Sequence, residues 1–177
     1  MNKNSKVQQM VRAALLIALG LLFPYLFHTI KNAGQVFLPM HIPILIGGFI
    51  LEPHFALAVG ILTPLLSHIF TGMPPIPFVY VMILELLTYG LVISILYNKS
   101  KMGMYPSLII GMLSGRVVNI LCNYLILHLI MSKPFKLKFV IAGLFVKGLP
   151  GIIIQLILIP ILVKVLQKSS SGKVESM

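Results

Sequence analysis

Long apolar runs, separated by short polar or turn-rich connections, are the dominant pattern of this chain. A helix needs about 20 residues to cross the ~30 Å hydrocarbon core of a bilayer, and most of these runs approach or exceed that length. The pattern predicts an all-α integral membrane protein, a compact bundle of six transmembrane helices. We expect these helices at about residues 7–30, 40–51, 55–71, 78–97, 105–131 and 139–166. The second is too short to cross alone unless the loop before it dips into the membrane.

The six runs form one expected domain, residues 1–168, and a serine-rich tail, residues 169–177, follows and is expected to be disordered. The first twenty residues have a basic start and an apolar continuation, as secretory signals do. No small-residue cleavage site follows them, so we interpret this stretch as a retained first transmembrane helix.

The composition supports the membrane interpretation, and the distribution of the basic residues argues against a nucleic-acid partner. The chain has 177 residues, of which 58% are hydrophobic, and its mean hydropathy is +1.03. It carries 14 Lys and Arg residues against three acidic ones, but the basic residues cluster at the ends of the apolar runs, where they anchor helices. No nucleic-acid motif accompanies them, so we expect no nucleic-acid partner. Cys122 is the single cysteine, so no internal disulfide is possible.

The distribution of basic residues predicts the orientation. Six crossings place both termini on one side, and the connections on that side carry Lys3, Lys6, Arg12, Lys99, Lys101, Lys164, Lys168 and Lys173. The opposite connections carry only Lys31, Lys133, Lys136 and Lys138. Because cytoplasmic loops are enriched in Lys and Arg, we expect cytoplasmic termini.

Three polar side chains interrupt the fifth run. Arg116, Asn119 and Asn123 stand at i, i+3 and i+7, so they share one face of the predicted helix. A charge at membrane depth costs at least ~2.5–3.5 kcal/mol and normally faces a cavity or a partner. Glu85 and Lys147 also lie within apolar runs. These ionisable groups either pair with one another as a structural staple or line a polar binding pocket.

Converting sequence position into depth favours the pocket. With cytoplasmic termini, Glu85 and Lys147 lie ~10–12 Å below the outer surface, and Asn123 lies near the same level. The candidate binding residues, all expected in the outer half, are Arg116, Asn119, Asn123, Glu85, Lys147, Tyr89, Gln155, His41, His68 and Gln35. Two cations face one carboxylate, so an anionic ligand such as a carboxylate would balance the charge. No Cys, Asp or Glu cluster surrounds the two histidines, so we expect no metal.

Missing motifs narrow the function further. The chain has no G-x-x-x-x-G-K-[ST] loop, no Asp, and no H-E-x-x-H or G-x-S-x-G arrangement. We therefore expect that it neither uses ATP itself nor acts as an enzyme. A stand-alone secondary transporter of a small organic solute stays an alternative, although no internal repeat is visible. A structural membrane subunit with a stapling ion-pair cluster is the other alternative.

Four stretches carry a resemblance to a known family. They are Ala14-x-x-x-Ala18, the loop and short helix at residues 34–43, the run at residues 60–66 and the proline-rich turn at residues 71–75. Together with the chain length and six predicted helices, they make the whole chain resemble a substrate-binding (S) component of an energy-coupling factor (ECF) type vitamin transporter. No motif specific for one vitamin is present.

The resemblance implies partners and a mode of action. Such components capture a vitamin-like micronutrient from outside a cell, bacterial in this interpretation, and dock onto a transmembrane coupling subunit carried by two cytosolic ATPases, which use the ATP. The small-residue face at Ala14 and Ala18 would contact the coupling subunit. By the resemblance, the loop at residues 31–40 would act as a lid. The residues alone are compatible with either a lid or an ordinary interfacial loop. The charge balance favours a carboxylate such as niacin or pantothenate.

Overall fold

The computed structural model describes residues 3–26, 36–130 and 137–172, and this part of the chain is helical, without strands. In chain order the α-helices are α1 (Lys3–Leu26), α2 (His41–Ile50), α3 (Pro53–Thr71), α4 (Phe78–Ser94), α5 (Met104–Asn123), α6 (Leu137–Ile141) and α7 (Leu149–Gly172). Short π-helical segments extend three of them: Ile95–Lys99 after α4, Tyr124–Ile130 after α5 and Ala142–Lys147 after α6.

Within the described residues, five helical stretches are long and apolar enough to cross a membrane. They are Ser5–Tyr25, Pro53–Thr71, Phe78–Lys99, Met104–Ile126 and Leu149–Lys168. Large apolar side chains such as Phe70 and Leu121 are exposed on their outer faces, as expected for lipid-facing surfaces. The predicted all-α, multi-pass membrane protein is therefore confirmed at this coarser level, whereas the described residues do not confirm the count of six spans.

Helix α2 is the reason for the difference in count. Its ten residues extend over only ~15 Å, half of the hydrocarbon thickness. Most of its side chains are buried, because α1, α4 and α7 pack around it. It is therefore a core element of the bundle, and its first residue, His41, is held in the interior.

Helix α4 is the centre of the fold, and glycines bring its neighbours unusually close. It packs against α2, α3 and α5. A Cβ atom on Gly60 of α3 would lie 2.6 Å from the Cα of Leu87, and one on Gly90 would lie 2.7 Å from the carbonyl oxygen of Ala56. The backbones of α3 and α4 thus touch, in the manner of small-residue packing between membrane helices.

The last predicted helix is interrupted in the structure. The sequence pattern predicts one helix over residues 139–166, but the described chain turns at Gly148 between the segment Ala142–Lys147 and α7. Pro150 lies just after this turn, and without an N–H group it cannot donate the next helical hydrogen bond. It is tolerated in the first turn of α7 instead. Residues 137–147 consequently form a short separate segment beside α5.

Candidate substrate-binding site

A cavity of about 710 Å³ lies at the end of the bundle where α3 leads into α4. Its volume falls within the ~300–1,000 Å³ range of small-molecule sites. Four parts of the chain form its walls: the start of α2, residues 73–85, the polar face of α5, and residues 139–147. The lining residues are Leu38, His41, Met73, Pro74, Pro75, Phe78, Val81, Met82, Glu85, Arg116, Asn119, Asn123, Phe139, Val140, Gly143, Leu144 and Lys147.

Glu85 is the centre of a hydrogen-bond network between α4 and α5. Its Oε1 accepts a 2.5 Å hydrogen bond from the hydroxyl of Tyr89, and its Oε2 accepts a 2.6 Å bond from Nδ2 of Asn119. The Nδ2 of Asn123 in turn donates to Oδ1 of Asn119 at 2.7 Å and to its backbone oxygen at 2.9 Å. His41 extends the network to α2, because its Nε2 lies 3.9 Å from Oε1 of Glu85.

Arg116 is buried beside this network and is only partly satisfied. The residue is 3% exposed, and its NH1 donates a 2.8 Å hydrogen bond to the carbonyl oxygen of Leu144. The guanidinium carbon lies 5.9 Å from the ring centre of Phe145, within the range of a cation–π contact. Its Nε and NH2 atoms are buried and have no hydrogen-bond partner in the described part of the chain. Arg116 therefore has two buried donor groups without a partner in the described residues, and the residue itself lines the cavity.

The expected pairing of Glu85 with a cation takes a different form. Among the described residues, neither Arg116 nor Lys147 forms an ion pair with Glu85, and the neighbouring ionisable group is His41. The carboxylate is satisfied by Tyr89 and Asn119 instead. Apart from His41, the cavity wall carries two cations, Arg116 and Lys147, and one anion, Glu85.

Lys147 does not lie within one continuous long helix, as the sequence pattern predicts. It is the last residue of the π-helical segment, it is exposed, and the span of α7 begins two residues later at Leu149. The break at Gly148 ends the helix just after Lys147. Lys147 still lines the cavity.

Three predicted site residues lie outside the cavity wall and support it from behind. Tyr89 is 1% exposed, and its ring fills the space beside Gly115, where an added Cβ would lie 2.2 Å from Cε1 of the ring. Gln155 is 1% exposed, and its Nε2 donates to the carbonyl oxygen of Leu38 at 3.4 Å. The Nδ1 of His68 lies 2.8 Å from the carbonyl oxygen of Pro74 and holds the connection that forms one wall. A further predicted site residue, Gln35, lies outside the described residues.

Two features of the cavity are absent from the sequence prediction. One is the apolar wall formed by Phe78, Val81, Met82 and the proline-rich connection. In the sequence these side chains look the same as lipid-facing ones, although the uncharged run of prolines after α3 marks a rigid connection. The other is the carbonyl of Leu144, which depends on the π-helical geometry of Ala142–Lys147. No group of three or more His, Cys, Asp or Glu side chains that could hold a metal ion occurs in the described residues.

The fold and the cavity define a class: a helical, multi-pass membrane protein with a polar, small-molecule-sized cavity at one end of its bundle. A family model described as "ECF transporter, substrate-specific component" matches residues 8–163, which is well over half of the chain. The chain belongs to this family, whose members are substrate-binding components of transporters rather than enzymes. Searches of the curated proteins and of the solved structures returned no match.

Proposed function

We propose that this chain captures a small organic anion, a vitamin or a related micronutrient with a carboxylate group, in the cavity between α4, α5 and residues 137–147. The single observation that carries the proposal is Arg116, a buried cation with two unused donor groups at the wall of a ligand-sized cavity. A buried guanidinium whose donor atoms lack hydrogen-bond partners is costly, and a carboxylate matches its planar fork of donors. The apolar wall at Phe78, Val81 and Met82 suits the uncharged body of such a ligand.

The same observation disfavours the structural staple. A staple needs the buried charges to neutralise one another, and Glu85 is satisfied by neutral donors from Tyr89 and Asn119. Arg116 donates only to a backbone carbonyl. This arrangement leaves the positive charge available to a ligand and is better explained by binding than by internal pairing.

We place this end of the bundle toward the outside, with both termini in the cytoplasm. The lining residues belong to the halves of α4 and α5 nearest the connections at residues 73–77 and 131–136, the side with fewer basic residues. Residues 31–35 of the proposed lid, residues 31–40, lie outside the described residues, and Leu38 in its second half lines the cavity. Family membership implies delivery through a coupling module, so a transmembrane coupling subunit and two cytosolic ATPases, which use the ATP, are the proposed partners.

Helix α1 offers the proposed docking face for the coupling subunit. Ala14 and Ala18 are exposed, whereas Ala13 and Leu16 of the same helix are buried in the bundle. The small side chains therefore lie on the outer side of the helix, where another helix can approach closely.

Thermal unfolding of the detergent-purified protein against vitamins and their precursors, including nicotinate and pantothenate, tests the binding proposal. A ligand present at 100 times its dissociation constant adds about 2.7 kcal/mol to stability. We expect a carboxylate to raise the melting temperature of the wild type and of the control Lys99→Gln, which removes an exposed charge at the opposite end. Arg116→Gln should abolish the shift. The proposal is contradicted if no carboxylate in the panel raises the melting temperature, or if the shift persists in Arg116→Gln.

Reconstitution distinguishes the secondary-transporter alternative. The purified chain alone, in liposomes with an ion gradient, should bind the ligand without accumulating it. Gradient-driven accumulation would favour the stand-alone carrier instead.

A further inference from the structure

The hydrogen-bond network fixes the orientation of two amide side chains at the cavity wall. The amide nitrogen of Asn123 faces the backbone oxygen of Asn119, an atom that can only accept. The amide nitrogen of Asn119 faces Oε2 of Glu85, which also accepts. Acceptor-only groups at both ends therefore determine which way each amide points, and a flipped Asn123 would bring its oxygen against the backbone oxygen of Asn119.

This orientation leaves Asn123 with a single unused group. Its Nδ2 directs both hydrogens to Asn119, one to the backbone oxygen and one to Oδ1. Its Oδ1 accepts no hydrogen bond from the described residues. Asn123 is 8% exposed and lines the cavity. Toward a ligand Asn123 can therefore act only as an acceptor, because it has no donor left to offer.

Arg116, on the same helix face as Asn123, is a hydrogen-bond donor, whereas Asn123 offers only an acceptor. Its unused Nε and NH2 atoms only donate. Asn123 follows Arg116 by seven positions, which separates their backbones by ~10 Å along α5. A molecule that satisfies both side chains is thus elongated, with an anionic acceptor near Arg116 and a hydrogen-bond donor some distance away.

We propose that Asn123 is a specificity-determining residue that selects elongated organic acids with an O–H or N–H donor at the end opposite the carboxylate. The proposal rests on the proposed function, in which Arg116 receives the carboxylate. A ligand with only an acceptor at that end would bring two acceptors together in a buried site. The expected discrimination is about 10- to 100-fold in affinity, the effect of leaving one acceptor without its hydrogen bond.

Matched pairs of synthetic acids test this inference. 3-(4-Hydroxyphenyl)propanoate carries a distal O–H donor, and 3-(4-methoxyphenyl)propanoate keeps the oxygen but loses the donor; the corresponding acetates and butanoates vary the spacing. We expect at least one hydroxyl acid to bind the wild-type protein about 10-fold or more tightly than its methoxy partner. By the same reasoning pantothenate, with distal hydroxyls, should bind more tightly than nicotinate, whose ring nitrogen only accepts at neutral pH.

Variants separate selection by Asn123 from general binding. Asn123→Ala should remove the preference within each pair while the methoxy acids still bind through Arg116. Asn123→Leu, which keeps a similar volume and removes the acceptor, should also abolish the preference, and it provides the second test where Asn123→Ala fails to fold. The proposal is overturned by equal affinities within every pair, by the absence of binding of every pair, or by a preference that persists in Asn123→Ala. Arg116-dependent binding of carboxylates from the vitamin panel decides the proposed function independently of these outcomes.

Discussion

Replacing Gly115 by alanine tests the contact that positions the polar network. The added Cβ would lie 2.2, 2.4 and 2.9 Å from Cε1, Cδ1 and Cζ of Tyr89. Carbon atoms in ordinary contact are ~3.5–4.0 Å apart, so the ring must move by more than ~1 Å. Its hydroxyl is held at 2.5 Å by Glu85, which is also bound by Asn119, so the movement would disturb the network.

The expected change in the unfolding free energy of Gly115→Ala follows from two opposing effects. Overpacking of a tight core costs about 1–3 kcal/mol, and replacing a helical glycine by alanine returns up to ~1 kcal/mol. We expect Gly115→Ala to lose about 1–2 kcal/mol of unfolding free energy, measured by reversible denaturant titration in detergent, and to bind the carboxylate ligand more weakly.

Gly143→Ala is the matched control. Gly143 also lies in a helical segment at the cavity, but an added Cβ would meet no atom within 4 Å. This variant should be as stable as the wild type or slightly more stable. Equal stability and equal ligand affinity of the Gly115→Ala and Gly143→Ala proteins would refute the assigned role of the Tyr89 ring.

Three further predictions concern the Tyr89 hydrogen bond, the contact between α3 and α4, and the docking face of α1. Tyr89→Phe removes a hydrogen bond to a buried carboxylate and should lower the unfolding free energy by about 1.5–3 kcal/mol, so unchanged stability would argue against the network. Gly60→Ala should be destabilised by about 3 kcal/mol, at the upper end of overpacking, because its Cβ would meet the backbone of Leu87, which cannot rotate away; a loss below 1 kcal/mol would contradict that contact. Ala18→Leu should abolish uptake in cells that contain the coupling module yet leave ligand binding intact, whereas Leu19→Ile on the same helix should preserve both; full uptake by Ala18→Leu would remove α1 as the docking face.

The helical period predicts the polar face of α5 because the spacing of side chains around one helix depends on that helix alone. Arg116, Asn119 and Asn123 share one face in any α-helix, and the structure places all three at the cavity. The rotation of a helix relative to its neighbours is not local. Tyr89 lies four residues after Glu85, so the helical period places the two on one face of α4. Its ring nevertheless packs beside Gly115, in the contact between α4 and α5, and does not line the cavity.

The apolar parts of the site and the helix ends were harder to predict for a related reason. In a membrane protein, side chains that face lipid and side chains that line a cavity are both apolar, so the pattern does not distinguish Val81 at the cavity from Leu84, which is exposed on the outside of α4. The break at Gly148 has a visible cause in Pro150, yet the apolar residues on either side of it predict one continuous helix. Lys147 was placed at membrane depth for that reason.

The most direct test of the account compares charge on the ligand with charge on the protein. The measurement is the affinity, by isothermal titration, of the tightest carboxylate in the panel and of its neutral primary amide, for the wild type and for Arg116→Gln. Such a cycle isolates the interaction between Arg116 and the carboxylate from other effects of the substitution. We expect the wild type to favour the carboxylate by about 10-fold or more and the variant to lose that preference. An undiminished preference in Arg116→Gln would show that the anion binds elsewhere and would contradict the central claim.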